Sequence, residues 1–68
     1  MENLEVRHHE RNPNLWWVSS RGDDVAYITH PGKAYVTWAV SSAAAGFTGK
    51  SFETMDAAVE ALAHSLAA

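Results

Sequence analysis

The stretch GFTGKS at residues 46–51 is the part of the sequence closest to a phosphate-binding loop. A Walker A loop has the form G-x-x-x-x-G-K-[ST], in which successive backbone N–H groups wrap the phosphate. Here only two residues separate Gly46 from Gly49, and the position that requires the first glycine holds Ala44. The loop is too short for that chemistry, so we predict that its glycines turn the chain into a helix. A weak anion site at Lys50, near the start of that helix, remains an alternative.

The histidines and carboxylates do not have the spacing of a metal site or of an acid–base pair. The adjacent His8 and His9 do not form HExxH, and no two histidines share a helix face at ligand spacing. The carboxylates form no tight pair with an obvious division into acid and base, G-x-S-x-G is absent, and the chain has no cysteine. We therefore predict no catalytic residue, no metal ligand and no cofactor, and a protein that is not an enzyme.

The tryptophans and tyrosines point most directly to binding, because these residue types dominate interaction hot spots. Trp16 and Trp17 are adjacent in a predicted strand, so their side chains face opposite sides of the sheet. One helix covers one side only, and a surplus of large apolar groups on the other side usually marks an interface. The predicted contact residues are Trp16, Tyr27, Tyr35 and Trp38. The alternative is that residues 1–13 or 41–52 cover that side.

Four segments have the pattern of β-strands. Residues 4–10 alternate between apolar and polar side chains, and residues 15–20, 25–29 and 33–40 are rich in β-branched and aromatic types. The linkers RNPN, RGDD and HPGK carry turn formers and are short, which favours antiparallel neighbours. Residues 1–13 are predicted either as the first strand or as a flexible arm.

The last third of the chain indicates a loop followed by a helix. Residues 41–53 hold two glycines and three serines and are predicted mainly as loop, with the triple alanine extending the strand or forming a helical turn. Thr54 is a favourable N-cap, and apolar residues then recur at helical spacing, which predicts a helix over 55–67. The predicted fold is α+β, an antiparallel meander of three or four strands with one C-terminal helix packed on one face.

Length and charge limit the classes of function. The chain has 68 residues, which predicts one domain over 1–68 with a small core, so stability comes from apolar packing, from association, or from both. A net charge of −3 argues against a partner dominated by phosphate. No apolar run has the length of a membrane span or a signal peptide, which predicts a cytoplasmic protein with no membrane partner.

The segments WWVSS, RGDD, VAYIT and GKSFETMDAAVEAL give an aromatic-led strand, a glycine turn, a second strand and a run into the helix. In this order they resemble the arm-type DNA-binding domains of tyrosine recombinases and the related AP2-type domains, with Phe52, Thr54 and Ala58 matching the last segment. The resemblance implies a sheet that lies in the major groove of DNA and is backed by a helix. The strands here offer tyrosine and threonine where that family carries arginine and lysine.

Two functions compete at this point. The first is a non-enzymatic interaction module that binds a protein partner or a second copy through an aromatic sheet face. The alanine-rich, lysine-poor composition resembles that of phage or actinobacterial proteins, which suggests an accessory protein. The alternative is a DNA-binding accessory domain of the recombinase-arm type, with Arg7, Arg21 and Lys33 as contacts. A further option is a homodimer whose sheets join edge to edge.

Overall fold

Within residues 4–67, five antiparallel strands form one sheet in which neighbours in sequence are neighbours in space. A computed structural model describes residues 4–67, with side chains described for residues 4–66. The strands are β1 (Leu4–His8), β2 (Leu15–Ser20), β3 (Asp23–Thr29), β4 (Tyr35–Ala39) and β5 (Lys50–Phe52). A 3₁₀ helix (Ser42–Phe47) joins β4 to β5, and α1 (Met55–Ala67) follows. The predicted α+β meander with a C-terminal helix is confirmed, with five strands instead of three or four.

The first strand, predicted either as a strand or as a flexible arm, is present as β1. Residues 1–3 lie outside the described range, and β1 pairs along its whole length with β2. β1 ends at His8, two residues before the predicted end, because the chain then folds into a tight loop. In that loop the Nδ1 atom of His9 accepts hydrogen bonds from the backbone N–H groups of Arg11 and Asn12, each at 3.1 Å.

The turn between β2 and β3 is shorter than the predicted RGDD turn. Only Arg21 and Gly22 lie between the paired residues Ser20 and Asp23, and both central residues have positive φ, 55° and 86°. This two-residue loop has the left-handed geometry that matches the twist of a hairpin. Asp23 and Asp24, predicted to serve the turn, instead begin β3.

Residues 41–53 form two elements where mainly a loop was predicted. The Ser41 hydroxyl accepts a hydrogen bond from the Ala43 N–H at 3.2 Å and caps the 3₁₀ helix, which contains the triple alanine. Gly49, with φ of 78°, then reverses the chain into β5, where Lys50 pairs with Thr37. The GFTGKS stretch therefore ends the 3₁₀ helix and turns the chain into β5, whereas its glycines were predicted to turn the chain into a helix.

The helix α1 begins and ends as predicted. The Thr54 hydroxyl accepts a hydrogen bond from the Ala57 N–H at 3.1 Å, which confirms Thr54 as the N-cap. Ala58 and Leu62 are fully buried one turn apart, so one stripe of the helix faces the sheet. One apolar core joins the sheet, the 3₁₀ helix and α1 through Val18, Val25, Ala26, Ile28, Ala44, Phe47, Ala58 and Leu62.

The two glycines of the GFTGKS stretch give a test of this structural role. We expect Gly49→Ala to lower the free energy of unfolding by about 1–2 kcal/mol, because an L-residue is strained at positive φ. Gly46→Ala is the matched control, since Gly46 lacks positive φ and an added Cβ meets no atom within 4 Å. Urea unfolding of both variants measures the difference, and equal stability of the two would contradict the turn assignment.

Candidate functional site

The two faces of the sheet differ in what covers them. Residues paired across antiparallel strands lie on the same face, so the pairing register assigns each side chain to one side. The face that carries Val18 and Ile28 packs against the 3₁₀ helix and α1, through Phe47 and Leu62. We call this the covered face. Neither helical element in the described chain lies on the opposite face, which we call the open face.

The open face carries a row of aromatic side chains across three neighbouring strands. Trp17 pairs with Tyr27, and Tyr27 pairs with Trp38. The ring centroids are 5.5 Å apart in the first pair and 6.4 Å in the second. Each of the three side chains is half-buried, so the rings support one another and still leave part of their surface to solvent. We call this row the aromatic ladder.

The polar atoms of the three ladder side chains differ in their hydrogen bonding. The Trp38 Nε1–H donates to the Thr29 hydroxyl at 2.9 Å, so this donor is satisfied within the sheet. Within residues 4–67 neither Trp17 Nε1 nor Tyr27 Oη has a hydrogen-bond partner, and no side-chain N or O atom there is both buried and unpaired. Trp17 and Tyr27 therefore present two solvent-accessible donors beside an apolar surface.

One end of the ladder is bordered by a charge network. Arg7 pairs across the strands with Trp17, and its Nη2 atom donates to Asp24 Oδ1 at 2.6 Å and to the Ser19 hydroxyl at 3.1 Å. The Ser19 hydroxyl donates to the same Asp24 oxygen at 2.8 Å and is almost fully buried. The arginine charge is thus balanced locally, and Glu5 adds a second carboxylate to this face.

The structure does not bring the predicted DNA-contact residues together. Arg21 lies in the β2–β3 turn and Lys33 in the β3–β4 connection, at opposite ends of the seven-residue strand β3. Such a strand spans about 23 Å. Arg7 lies between these ends and is paired with Asp24. Lys50, the predicted anion contact, points to the covered face, where its Nζ atom lies 5.4 Å from the centre of the Phe47 ring.

The predicted interface residues separate into two groups. Tyr27 and Trp38 lie on the open face, whereas Trp16 and Tyr35 lie on the covered face and pack against the apolar core. Trp17, which was not among the predicted contacts, completes the ladder. The signal that identifies it is alternation from Val18, a fully buried residue, but that signal requires knowing which face the helix covers.

A second aromatic group lies on the covered face, away from the ladder. The rings of Trp16 and Tyr35 are 6.0 Å apart, and His8 and His30 extend the group at either side. The His30 and Tyr35 rings stack with centroids 4.0 Å apart. His8 contacts Trp16 at 5.1 Å between ring centroids and is exposed to solvent. Trp16 and Tyr35 extend the apolar core on this face.

Residues 4–67 contain no cluster of three or more histidine, aspartate or glutamate side chains that could hold a metal ion. Over the same range, no helix is long and apolar enough to cross a membrane. Comparison with protein-family models, with curated proteins and with solved structures gave no match. Function is therefore inferred from the geometry and charge of the two sheet faces.

Proposed function

We propose that the protein is a non-enzymatic interaction module that binds a protein partner through the open face. The observation that supports this function is the aromatic ladder of Trp17, Tyr27 and Trp38 on the side of the sheet that neither helix covers. Tryptophan and tyrosine bury a large apolar area at low conformational cost and keep a polar tip for hydrogen bonding. A ladder of this kind supplies the centre of a binding site.

The chemistry of the open face favours a partner surface that is apolar and carries hydrogen-bond acceptors. The free donors are Trp17 Nε1 and Tyr27 Oη, and backbone carbonyl groups of a partner are suitable acceptors. The charged border formed by Arg7 and Asp24 is nearly neutral as a pair. Binding should therefore depend on apolar contact and respond little to salt.

DNA binding of the recombinase-arm type is the second candidate. The layout favours it, because a sheet whose free face lies opposite a C-terminal helix is what the resemblance implies for a major-groove reader. The charges oppose it, because Arg21 and Lys33 lie at opposite ends of the sheet and Arg7 is held by Asp24. A DNA complex would lose affinity steeply with salt, which separates the two candidates.

The variant Trp17→Ser tests the proposed function with little effect on the core. Trp17 is half-buried and its side chain makes no hydrogen bond within the described residues, so its loss removes ladder surface and leaves the backbone bonds of the sheet intact. We expect the dissociation constant of a partner captured by the wild-type protein to rise about 30-fold or more, as for a hot-spot residue worth about 2 kcal/mol. Calorimetry in low and high salt measures it.

Val6→Ser is the matched control, because Val6 is an exposed apolar residue on the covered-face side of β1. We expect this control to keep the affinity of the wild-type protein for a partner that presents a single binding surface. Equal binding by the wild-type and Trp17→Ser proteins would contradict the proposal. Salt-sensitive binding to a DNA duplex, weakened by Arg7→Ala and not by Trp17→Ser, would favour the second candidate instead.

A further inference from the structure

The free edge of β1 is a second surface, separate from the aromatic ladder. β1 lies at one end of the sheet and pairs with β2 only, within the described chain. An edge strand presents unpaired backbone N–H and C=O groups, which makes it a template for another strand. A partner strand must match both the outward backbone groups and the side chains of β1.

One hydrogen bond shows which backbone N–H and C=O groups of β1 point toward β2 and which point outward. The His9 N–H donates to the Leu15 carbonyl of the β2 side at 2.9 Å. In an antiparallel pair, alternate residues direct their backbone groups to the same neighbour, so Glu5 and Arg7 also bond toward β2. The N–H and C=O groups of Leu4, Val6 and His8 therefore point outward from the free edge.

The side chains of β1 carry a pattern that is complementary to itself. Glu5 and Arg7 have opposite charges, lie on the open face and are exposed, while Val6 lies between them on the other side and is 39% exposed. Charges on an edge strand commonly block pairing. Here a second β1 that runs antiparallel can place its Arg7 opposite Glu5 and its Glu5 opposite Arg7. Each charge then faces an opposite charge.

We infer that β1 pairs with β1 of a second copy of the chain, antiparallel and with the two-fold axis at Val6. In this register Val6 faces its own counterpart, Glu5 faces the Arg7 of the second copy, and Leu4 faces its His8. The pairs at Val6 and at Leu4 with His8 are those whose backbone groups point outward, so they exchange the hydrogen bonds. The Glu5–Arg7 pairs then fall at the closer, non-hydrogen-bonded spacing that suits an ion pair.

The alternative registers are unfavourable. An axis at Glu5 would place two glutamates opposite each other, and an axis at Arg7 would do the same with two arginines. Arg7 also retains donors for this contact, because only its Nη2 atom bonds to Asp24 and Ser19. A two-fold axis makes both halves of the interface identical, as in most homodimers.

The resulting dimer is one continuous sheet made of two copies of the five-stranded sheet. Both α1 helices lie on one side of it, and both aromatic ladders lie on the other. This association also adds stability to a chain of 68 residues that has no cysteine to form a disulfide. It uses no residue of the ladder, so it stands or fails separately from the proposed function.

The variant Val6→Pro tests the pairing directly. Because the Val6 N–H points outward, proline at this position removes a donor from the free edge and leaves the bonds between β1 and β2 in place. We expect the wild-type chain to form a concentration-dependent dimer in sedimentation equilibrium, and Val6→Pro to be a monomer. Circular dichroism of the diluted proteins checks that the variant keeps its fold.

Charge exchange gives an independent measurement that does not depend on proline. Glu5→Arg places arginine against Arg7 in both contacts, and Arg7→Glu places glutamate against Glu5, so each variant should dimerise about tenfold more weakly. An equimolar mixture of the two restores opposite charges at each contact and should recover the affinity. Glu60→Arg on α1, with the same charge change away from the edge, is the control and should dimerise like the wild type.

Two results would overturn the inference. One is a wild-type protein that stays monomeric at every concentration. The other is a dimer that Val6→Pro and Glu5→Arg leave unchanged, which would assign self-association to another surface such as the open face. In that case Trp17→Ser would weaken the dimer, and the edge of β1 would have no part in it.

Discussion

Replacing Leu62 with alanine is expected to remove a large part of the folding free energy of this protein. Leu62 is fully buried and joins α1 to Val18 and Ile28 of the sheet. A Leu→Ala change at such a site costs about 2–5 kcal/mol, from lost burial and from the cavity that remains. The total stability of a domain of this length is about 3–10 kcal/mol. Thermal unfolding followed by circular dichroism should show a midpoint lowered by at least about 10 °C.

The control for this change is Leu66→Ala, one turn further along the same side of α1. Leu66 packs against the core but is only partly buried, so its truncation removes less apolar contact. We expect a loss of less than half of that measured for Leu62→Ala. Equal losses at the two positions would show that α1 does not pack on the sheet through the Ala58–Leu62 stripe.

The helix was predictable from sequence because its signals are local. The N-cap at Thr54 and the apolar spacing from Met55 onward are both contained within the helix itself. Four of the strands, β1 to β4, were also predictable from alternation and turn residues. The end of β1, the start of β3 and the start of β4 were each wrong by two residues. The first two of these depend on a loop contact of His9 and on a two-residue turn at Arg21 and Gly22.

The fifth strand could not be predicted because it is defined by contacts distant in sequence. β5 has three residues, too few to show alternation, and it lies in a segment rich in serine and glycine. Its position depends on pairing with β4 and on the Gly49 N–H, which donates to the Thr37 carbonyl at 2.8 Å. Neither contact leaves a pattern in the local sequence.

The sequence predicts an aromatic surface on the sheet, but it does not predict which aromatic residues belong to that surface. Alternation predicts that Trp16 and Trp17 face opposite sides, yet it does not say which side α1 covers. The answer depends on the pairing of Trp17 with Tyr27 and on the core contacts of Val18. The ion pair between Arg7 and Asp24 also could not be predicted, because these residues are 17 positions apart in sequence.

The two proposed surfaces would reinforce each other if both are used. Pairing at the β1 edge brings two aromatic ladders to the same side of one sheet, at a fixed separation. A partner that presents two copies of its own binding surface would then bind through both, and the second contact becomes intramolecular. Val6→Pro should in that case weaken binding to a divalent partner and leave binding to a monovalent one unchanged.

The hydroxyl of Thr37 holds the GFTGKS stretch on the sheet, and its removal is the second large effect that we expect. Thr37 is fully buried, and its hydroxyl donates to the Phe47 carbonyl at 2.6 Å, with the Lys50 carbonyl further away at 3.3 Å. Thr37→Val keeps the shape of the side chain and leaves the Phe47 carbonyl without its donor. We expect a loss of about 1–3 kcal/mol in the free energy of unfolding, measured by urea denaturation.

Thr48→Val is the control, because Thr48 lies in the same stretch but is exposed, and its change should stay within about 0.5 kcal/mol. Amide hydrogen exchange adds the local measurement. If the Thr37 hydroxyl anchors the stretch, Thr37→Val should speed exchange at the Gly49 N–H, which bonds to the Thr37 carbonyl. A variant as stable as the wild type, with unchanged exchange at Gly49, would show that water replaces the hydroxyl without cost and that β4–β5 pairing holds the stretch by itself.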